Sequence, residues 1–281
     1  MRPRAAFVAF EIMDDRDRIL AIETARRAGA LLHAEAGKRR QITFKGSPTN
    51  LVTEMDHRAE ALILEAIRAE CPGDAILSEE RGTVGGPSSR RWIIDPLDGT
   101  TNFLHGVPQY AVSIALVHHG VLAQAVVYDP SRNDLFTASR GRGAFLNDRR
   151  MRVSKTDHLR DALISTGFPF RDLAHLDNYI AMFRAVTEKS SGVRRPGAAS
   201  LDLAWVACGR FDGFWEIGLS SWDVAAGALL IQEAGGLITG IDGGENFLAT
   251  GNVVCGNPKV FGQLLQAVSA YAPKAKREHA I

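Results

Sequence analysis

Two acids stand three residues apart at the end of an apolar run, in Trp92-Ile93-Ile94-Asp95-Pro96-Leu97-Asp98-Gly99-Thr100-Thr101-Asn102-Phe103. The run reads as a strand that emerges at Asp95, and Pro96 forces a turn before Asp98. Gly99 lets the backbone approach a ligand closely, and Gly99, Thr100 and Thr101 present N–H groups where a short helix begins. Carboxylates beside free amides suit a divalent cation on the acids and an anionic phosphate bridging the cation to the amides. An ordinary turn needs neither two acids nor two hydroxyls after a buried strand.

Other acids are less telling alone. Glu79-Glu80 precedes a Gly-rich loop, where paired acids are usually solvated, but an acid ending a neighbouring strand is well placed to add an oxygen ligand for a hard cation. Asp223, in Trp222-Asp223-Val224-Ala225-Ala226-Gly227, falls in the first turn of a helix, where the dipole favours an acid in any protein. Asp56 is accounted for by a capping box, Thr53-Glu54-Met55-Asp56, without any chemistry. The histidines are scattered over helices, turns and the tail, and no Ser or Cys occupies a G-x-S-x-G elbow. Metal-assisted attack by water is the chemistry that remains.

The elements that must position these groups follow from periodicity. A helix is expected over Asp14–Ala36, ended by Gly37, then a basic loop Lys38–Pro48 and a helix from the Thr53 cap to Cys71-Pro72-Gly73. Ala75–Ser78 and Trp92–Asp95 read as strands, each ending in acids. Ala111–Val117, Val121–Tyr128 and Asp134–Ala138 read as an antiparallel meander, so a mixed sheet is expected. Beyond it, strands are expected at Leu163–Thr166, Gly213–Glu216, Leu237–Thr239 and Val253–Cys255. Helices are expected at Leu176–Thr187, Ala199–Cys208, Trp222–Ala234 and Pro258–Ala270. This is α/β or α+β alternation with helices layered on sheets.

Composition sets outer bounds. The chain has 281 residues, 46% hydrophobic and 23% charged, which excludes disorder as the main state and permits one large domain or two smaller ones. Thirty-three basic residues against 32 acidic ones leave a net charge of +1 and no global field for a polyanion, so nucleic acid is not expected as a primary partner. Cys71, Cys208 and Cys255 are odd in number and widely spaced, which supports neither a disulfide framework nor a zinc site. No run reaches the roughly 18 apolar residues of a membrane span, and a cytoplasmic protein is expected.

The Asp95–Phe103 string, the Glu79-Glu80 pair and Trp222–Gly227 together resemble the signatures of the inositol monophosphatase family. Lys45-Gly46-Ser47-Pro48, Leu51-Val52-Thr53, Thr166-Gly167-Phe168-Pro169 and Gly197-Ala198-Ala199 support the likeness. The resemblance implies one domain over 14–271, with an α+β part to about residue 150 and an α/β part from 151, between tails 1–13 and 272–281. It implies alternating helix and sheet layers, and a Mg²⁺-dependent, lithium-sensitive phosphomonoesterase that forms a homodimer and binds two or three Mg²⁺ ions. Glu79, Asp95 and the Leu97 carbonyl would hold one metal, and Asp95, Asp98 and Asp223 a second. Thr100 with Asp56 would orient the attacking water, with Glu79 helping to activate it.

By the same likeness, Glu216 and the Gly197, Ala198 and Ala199 backbone would meet substrate hydroxyls, with Asp98, Gly99, Thr100, Thr101 and Asp223 also touching the substrate. Lys45 lies on a loop expected to close over the site. Thr101 stands where nucleotide- and histidinol-phosphate relatives tend to carry Lys or Arg, which favours a phosphorylated polyol, inositol 1-phosphate, over those compounds; fructose 1,6-bisphosphate shares the vicinal hydroxyl pattern and stays an alternative. Some bacterial relatives associate with transcription machinery. Asn50 and Arg81 depart from the usual pattern.

Overall fold

Strand Ala111–His118 shows how the layers are built: Val112, Ile114 and Leu116 enter one apolar core while Ala111 and Ala115 enter another. A strand buried on both faces reads as a continuous apolar run, because successive side chains point to opposite sides. The structure, a computed structural model, describes residues 15–38, 42–44, 51–169 and 173–272.

In chain order the elements are α1 (Asp15–Glu35), β1 (Ile42–Phe44), β2 (Leu51–Thr53), α2 (Glu54–Glu70), β3 (Ala75–Ser78), β4 (Gly82–Val84), β5 (Arg90–Asp98) and α3 (Thr100–Leu104). Next come β6 (Ala111–His118), β7 (Val121–Asp129), β8 (Asp134–Ser139), β9 (Gly143–Leu146) and β10 (Arg149–Arg150). The second half holds β11 (Leu163–Thr166), α4 (Leu176–Thr187), β12 (Gly192–Arg194), α5 (Ala199–Ala207) and β13 (Gly213–Glu216). It ends with α6 (Ser221–Glu233), β14 (Leu237–Gly240), α7 (Phe247–Thr250), β15 (Val253–Gly256) and α8 (Pro258–Ser269).

An eight-stranded sheet runs β10-β9-β8-β7-β6-β5-β3-β4, and a five-stranded sheet runs β12-β11-β13-β15-β14. Both are mixed: β3 lies parallel to β5 within an otherwise antiparallel sheet, and β11 lies parallel to both β12 and β13. Helices α1 and α2 pack on one face of the larger sheet, against Trp92, Ile94 and Val126. Helices α5 and α6 fill the space between the sheets, touching Ile93, Ala125 and Phe136 on one side and Phe214, Val253 and Cys255 on the other. Helices α4 and α8 cover the far face of the smaller sheet, around Trp215, Tyr179 and Val254. The order of layers is therefore helix, sheet, helix, sheet, helix, as the layered α/β expectation required.

Several expected elements differ. The interval read as one loop, Lys38–Pro48, contains β1, which pairs antiparallel with β2 just before the Thr53 cap. The second strand is longer than Trp92–Asp95 and runs through Pro96 to Asp98. Proline is tolerated there because the ladder with β6 is already interrupted by a bulge between Asp95 and Asp98. Strands β4, β9, β10 and β12 and the short α7 are additional. The expected tails, residues 1–13 and most of 272–281, lie outside the described residues, and no described helix is long and apolar enough to cross a membrane.

Candidate metal centre and active site

The site begins with a parallel pair. Ser78 stands opposite Ile94 in the β3–β5 ladder, and Glu79 N–H donates to the Ile94 carbonyl at 3.2 Å. Glu79 therefore leaves the end of β3 beside Asp95 of β5. Asp95 and Asp98 would face opposite sides of a regular strand, because their spacing is odd. The bulge corrects this: three steps along β5, Asp95 to Asp98, match two along β6, Ser113 to Ala111. Both carboxylates then turn toward the α5–α6 layer, which supplies Asp223. Oxygens of Asp95, Asp98 and Asp223 all lie within 4.8 Å of one another, and all three residues are buried.

Each acid is held by backbone or hydroxyl donors. Asp95 Oδ1 accepts from Leu97 N–H at 3.0 Å. Asp98 Oδ2 accepts from both the N–H and the hydroxyl of Ser200, at 2.8 and 2.6 Å, so it caps α5 from another part of the chain. Asp223 Oδ2 accepts from Ser220 N–H at 2.7 Å in the first turn of α6. Charge-assisted bonds of this kind hold carboxylates in one rotamer at modest cost.

Asp56 is held through both its oxygens. Oδ2 accepts from the N–H and hydroxyl of Thr53 at 2.8 and 2.6 Å, and Oδ1 lies 3.0 Å from the Thr100 hydroxyl. The same hydroxyl is 3.1 Å from the Leu97 carbonyl, so its single proton serves one of the two acceptors. Burial raises the Asp56 carboxyl, opposed by the bonds from Thr53 and Thr100. The capping box read from the sequence is thus present, and it reaches the site as well.

Gly99, the N-cap of α3, has φ 89°, and a Cβ there would lie 2.8 Å from the Gln109 carbonyl. Only glycine fits, and its turn brings Thr100 and Thr101 to the start of α3. Asn102 then donates to the carbonyls of Gln109 and Pro196 at 2.8 and 2.9 Å, with Gly197 O at 3.2 Å, which ties Gly197, Ala198 and Ala199 at the head of α5 to α3. Glu216, at the end of β13, lies so close to Gly167 that any Cβ at 167 would overlap its carboxylate. The glycine of the Thr166–Pro169 segment therefore makes room for Glu216.

Burial is the main cause that pushes the Asp95 carboxyl well above the ordinary range, followed by the charges of Glu79, Asp98 and Asp223. These acids cannot share a buried pocket as anions without a compensating cation. The donors are all oxygen, with no thiolate or imidazole, which fits Mg²⁺ rather than zinc or copper.

The chain's match to known proteins follows this geometry. The sequence pattern described as "Inositol monophosphatase family" matches residues 14–272. The chain belongs to the inositol monophosphatase family. It is 51% identical over 260 residues to a Nus factor SuhB of Pseudomonas aeruginosa, covering 90% of this chain and 96% of that one. It is 48% identical over 250 residues to an inositol-1-monophosphatase of Mesorhizobium japonicum, covering 88% and 94%. The crystal structure of extragenic suppressor protein suhB from Bartonella henselae superposes with TM-score 0.87 at 42% identity, covering 90% and 98%.

In this member of the inositol monophosphatase family, Asp95, Asp98 and Asp223 form the close group, Glu79 is near enough for its charge to act on Asp95, and hydrogen bonds link Leu97, Thr100 and Asp56 to it. Asn102 ties Gly197 to the Gly99–Thr101 turn, and Glu216 acts on Asp202. Lys45 and Asn50 lie outside the described residues. Two contributors carry no motif of their own: Ser200 and Asp202. The last is a buried acid on α5 whose carboxyl is raised by burial and then by Glu216 and Asp98. Asn102, which holds Gly197 to α3, lies inside the Asp95–Phe103 string, whereas Ser200 has its partner 102 residues away.

Proposed function

We propose that this chain is a Mg²⁺-dependent phosphomonoesterase that hydrolyses inositol 1-phosphate to inositol and phosphate. The observation that carries the reading is the buried Asp95, Asp98 and Asp223 triad, with oxygens within 4.8 Å, set beside the Thr100–Asp56 pair. Glu79, Asp95 and the Leu97 carbonyl would hold one ion and Asp95, Asp98 and Asp223 a second. Bound Mg²⁺ would supply neutralisation of the phosphoryl oxygens and acidification of water.

The chain's own residues do the rest. Asp56 has both oxygens engaged and acts as an orienter that keeps the Thr100 hydroxyl aimed at the water, with Glu79 as the neighbouring base. The N–H groups of Gly99, Thr100 and Thr101 would bind the phosphoryl oxygens, and Gly197–Ala199 with Glu216 would bind the polyol hydroxyls, so that these contacts orient the ester toward the attacking water.

The name of the Pseudomonas relative, Nus factor SuhB, supports a second reading, a transcription-associated role. Retention of the full acid set favours catalysis as the primary role. The test is phosphate release from inositol 1-phosphate, fructose 1,6-bisphosphate, histidinol phosphate and adenosine 3′,5′-bisphosphate, with and without Mg²⁺. Fastest Mg²⁺-dependent release from inositol 1-phosphate is expected; no release from any of them would overturn the enzyme reading.

A further inference from the structure

Helix α2 carries a second buried acid one turn beyond Asp56. Glu60 is fully buried, and its carboxylate accepts from three donors: Ser78 Oγ at 2.6 Å, Arg81 N–H at 2.9 Å and Arg81 Nε at 3.1 Å. A buried carboxylate is tolerated only when hydrogen-bonded and paired, and here the pairing cation is Arg81. Ser78 and Arg81 bracket Glu79-Glu80. The tight turn from β3 to β4, where Ser78 pairs with Gly82, is therefore gripped from inside at both shoulders. His57, on the same helix, approaches the buried Glu80 carboxylate at 3.8 Å.

We infer that Glu60 and Arg81 are positioning residues that hold Glu79 in its ligand geometry, and that α2 acts as a ruler between the two halves of the water-activating apparatus. Asp56 sets Thr100, and Glu60, about 6 Å further along the helix axis, sets the turn that bears Glu79. The spacing of Thr100 and Glu79 is then fixed by one rigid helix rather than by two loops. The inference rests on the proposed role of Glu79 as a ligand and adds to it two residues that touch neither metal nor substrate.

The test is a double-mutant cycle read by calorimetric titration of Mn²⁺ into the purified, substrate-free protein, with thermal unfolding measured alongside. Glu79→Gln and Glu60→Gln are each expected to weaken Mn²⁺ binding about tenfold. Added to Glu79→Gln, Glu60→Gln is expected to cause no further loss, since there is no longer a ligand to position. Arg81→Ala, at a half-exposed side chain, should give the same pattern with a smaller loss, and Arg81→Lys should restore part of it; these two carry the test if Glu60→Gln does not fold. A loss that is additive across the cycle, or unchanged Mn²⁺ affinity in Glu60→Gln and Arg81→Ala, overturns the inference alone. Unchanged affinity in Glu79→Gln overturns the ligand reading and the inference with it.

Discussion

Ser200 gives both its backbone N–H and its hydroxyl to a single oxygen of Asp98, 102 residues earlier in the chain. The bond pair makes Asp98 a cap for α5 and at the same time aims its carboxylate at Asp95 and Asp223.

Removing the hydroxyl tests how far that aim matters. Ser200→Ala keeps the N–H bond and loses one charge-assisted bond, about 1.5–3 kcal/mol by analogy with similar bonds. Turnover should fall about tenfold while the fold survives, as judged by unchanged far-UV circular dichroism. A variant with wild-type kcat and wild-type Mg²⁺ dependence would show that Asp98 needs no such guide.

Asp95→Asn should separate activity from stability. Phosphate release should drop about 10³-fold, yet the metal-free protein should melt at a higher temperature than wild type, because one of the mutually repelling acids has been neutralised. Equal or lower melting of the metal-free variant would mean the pocket stores no repulsion.

The pH dependence has a definite sign. Burial and the neighbouring acids raise the Asp95 carboxyl in the folded chain, and burial first also raises Asp202 and Asp56. The native state then holds these protons more tightly than the unfolded chain, so stability contributed at low pH is lost as pH rises from the ordinary carboxylate value of 3.8 through the raised folded values. Metal-free protein should become less stable across that window, and the melting-temperature gain on adding Mg²⁺ should be larger at pH 8 than at pH 5.5. A gain that does not vary with pH would contradict it.

Thr100→Val removes the hydroxyl that Asp56 orients while nearly conserving shape. The expected loss in kcat is about 10²-fold, with Mn²⁺ affinity nearly unchanged since Thr100 is not a ligand. A comparable loss of metal binding would make Thr100 part of the metal shell instead.

Gly99→Ala should cost about 1–3 kcal/mol from the left-handed backbone alone, and more from the contact with the Gln109 carbonyl. Chemical denaturation reads the loss directly.

Much of this architecture was legible beforehand, and the rest was hidden for physical reasons. Strands such as Ala75–Ser78, Leu163–Thr166 and Gly213–Glu216 showed plainly because both faces are buried, so their apolar runs end abruptly at polar residues. Thr53 and Asp56 revealed the start of α2 because a capping box is local. In contrast, β10, Arg149–Arg150, and β12, Gly192–Arg194, sit at sheet edges and owe their conformation to a neighbouring strand, so their own residues carry no alternation. In the site, Asp95, Asp98 and Glu79 could be found because they cluster in sequence. Ser200 and Glu60 could not, since their partners lie 102 and 18 or more residues away and nothing periodic links them.

The layer between the two sheets starts at the acids. Helices α5 and α6 both open onto the pocket, α5 through Asp98 and Ser200 and α6 through Asp223, while Asp95 belongs to one sheet and Glu216 to the other. A cation seated there would work as a rivet between the larger sheet and the helix layer, so its departure would be felt as slippage between slabs. The first turns of α5 and α6 should then exchange their amide hydrogens faster in metal-free protein, although no residue in those turns need change its fold.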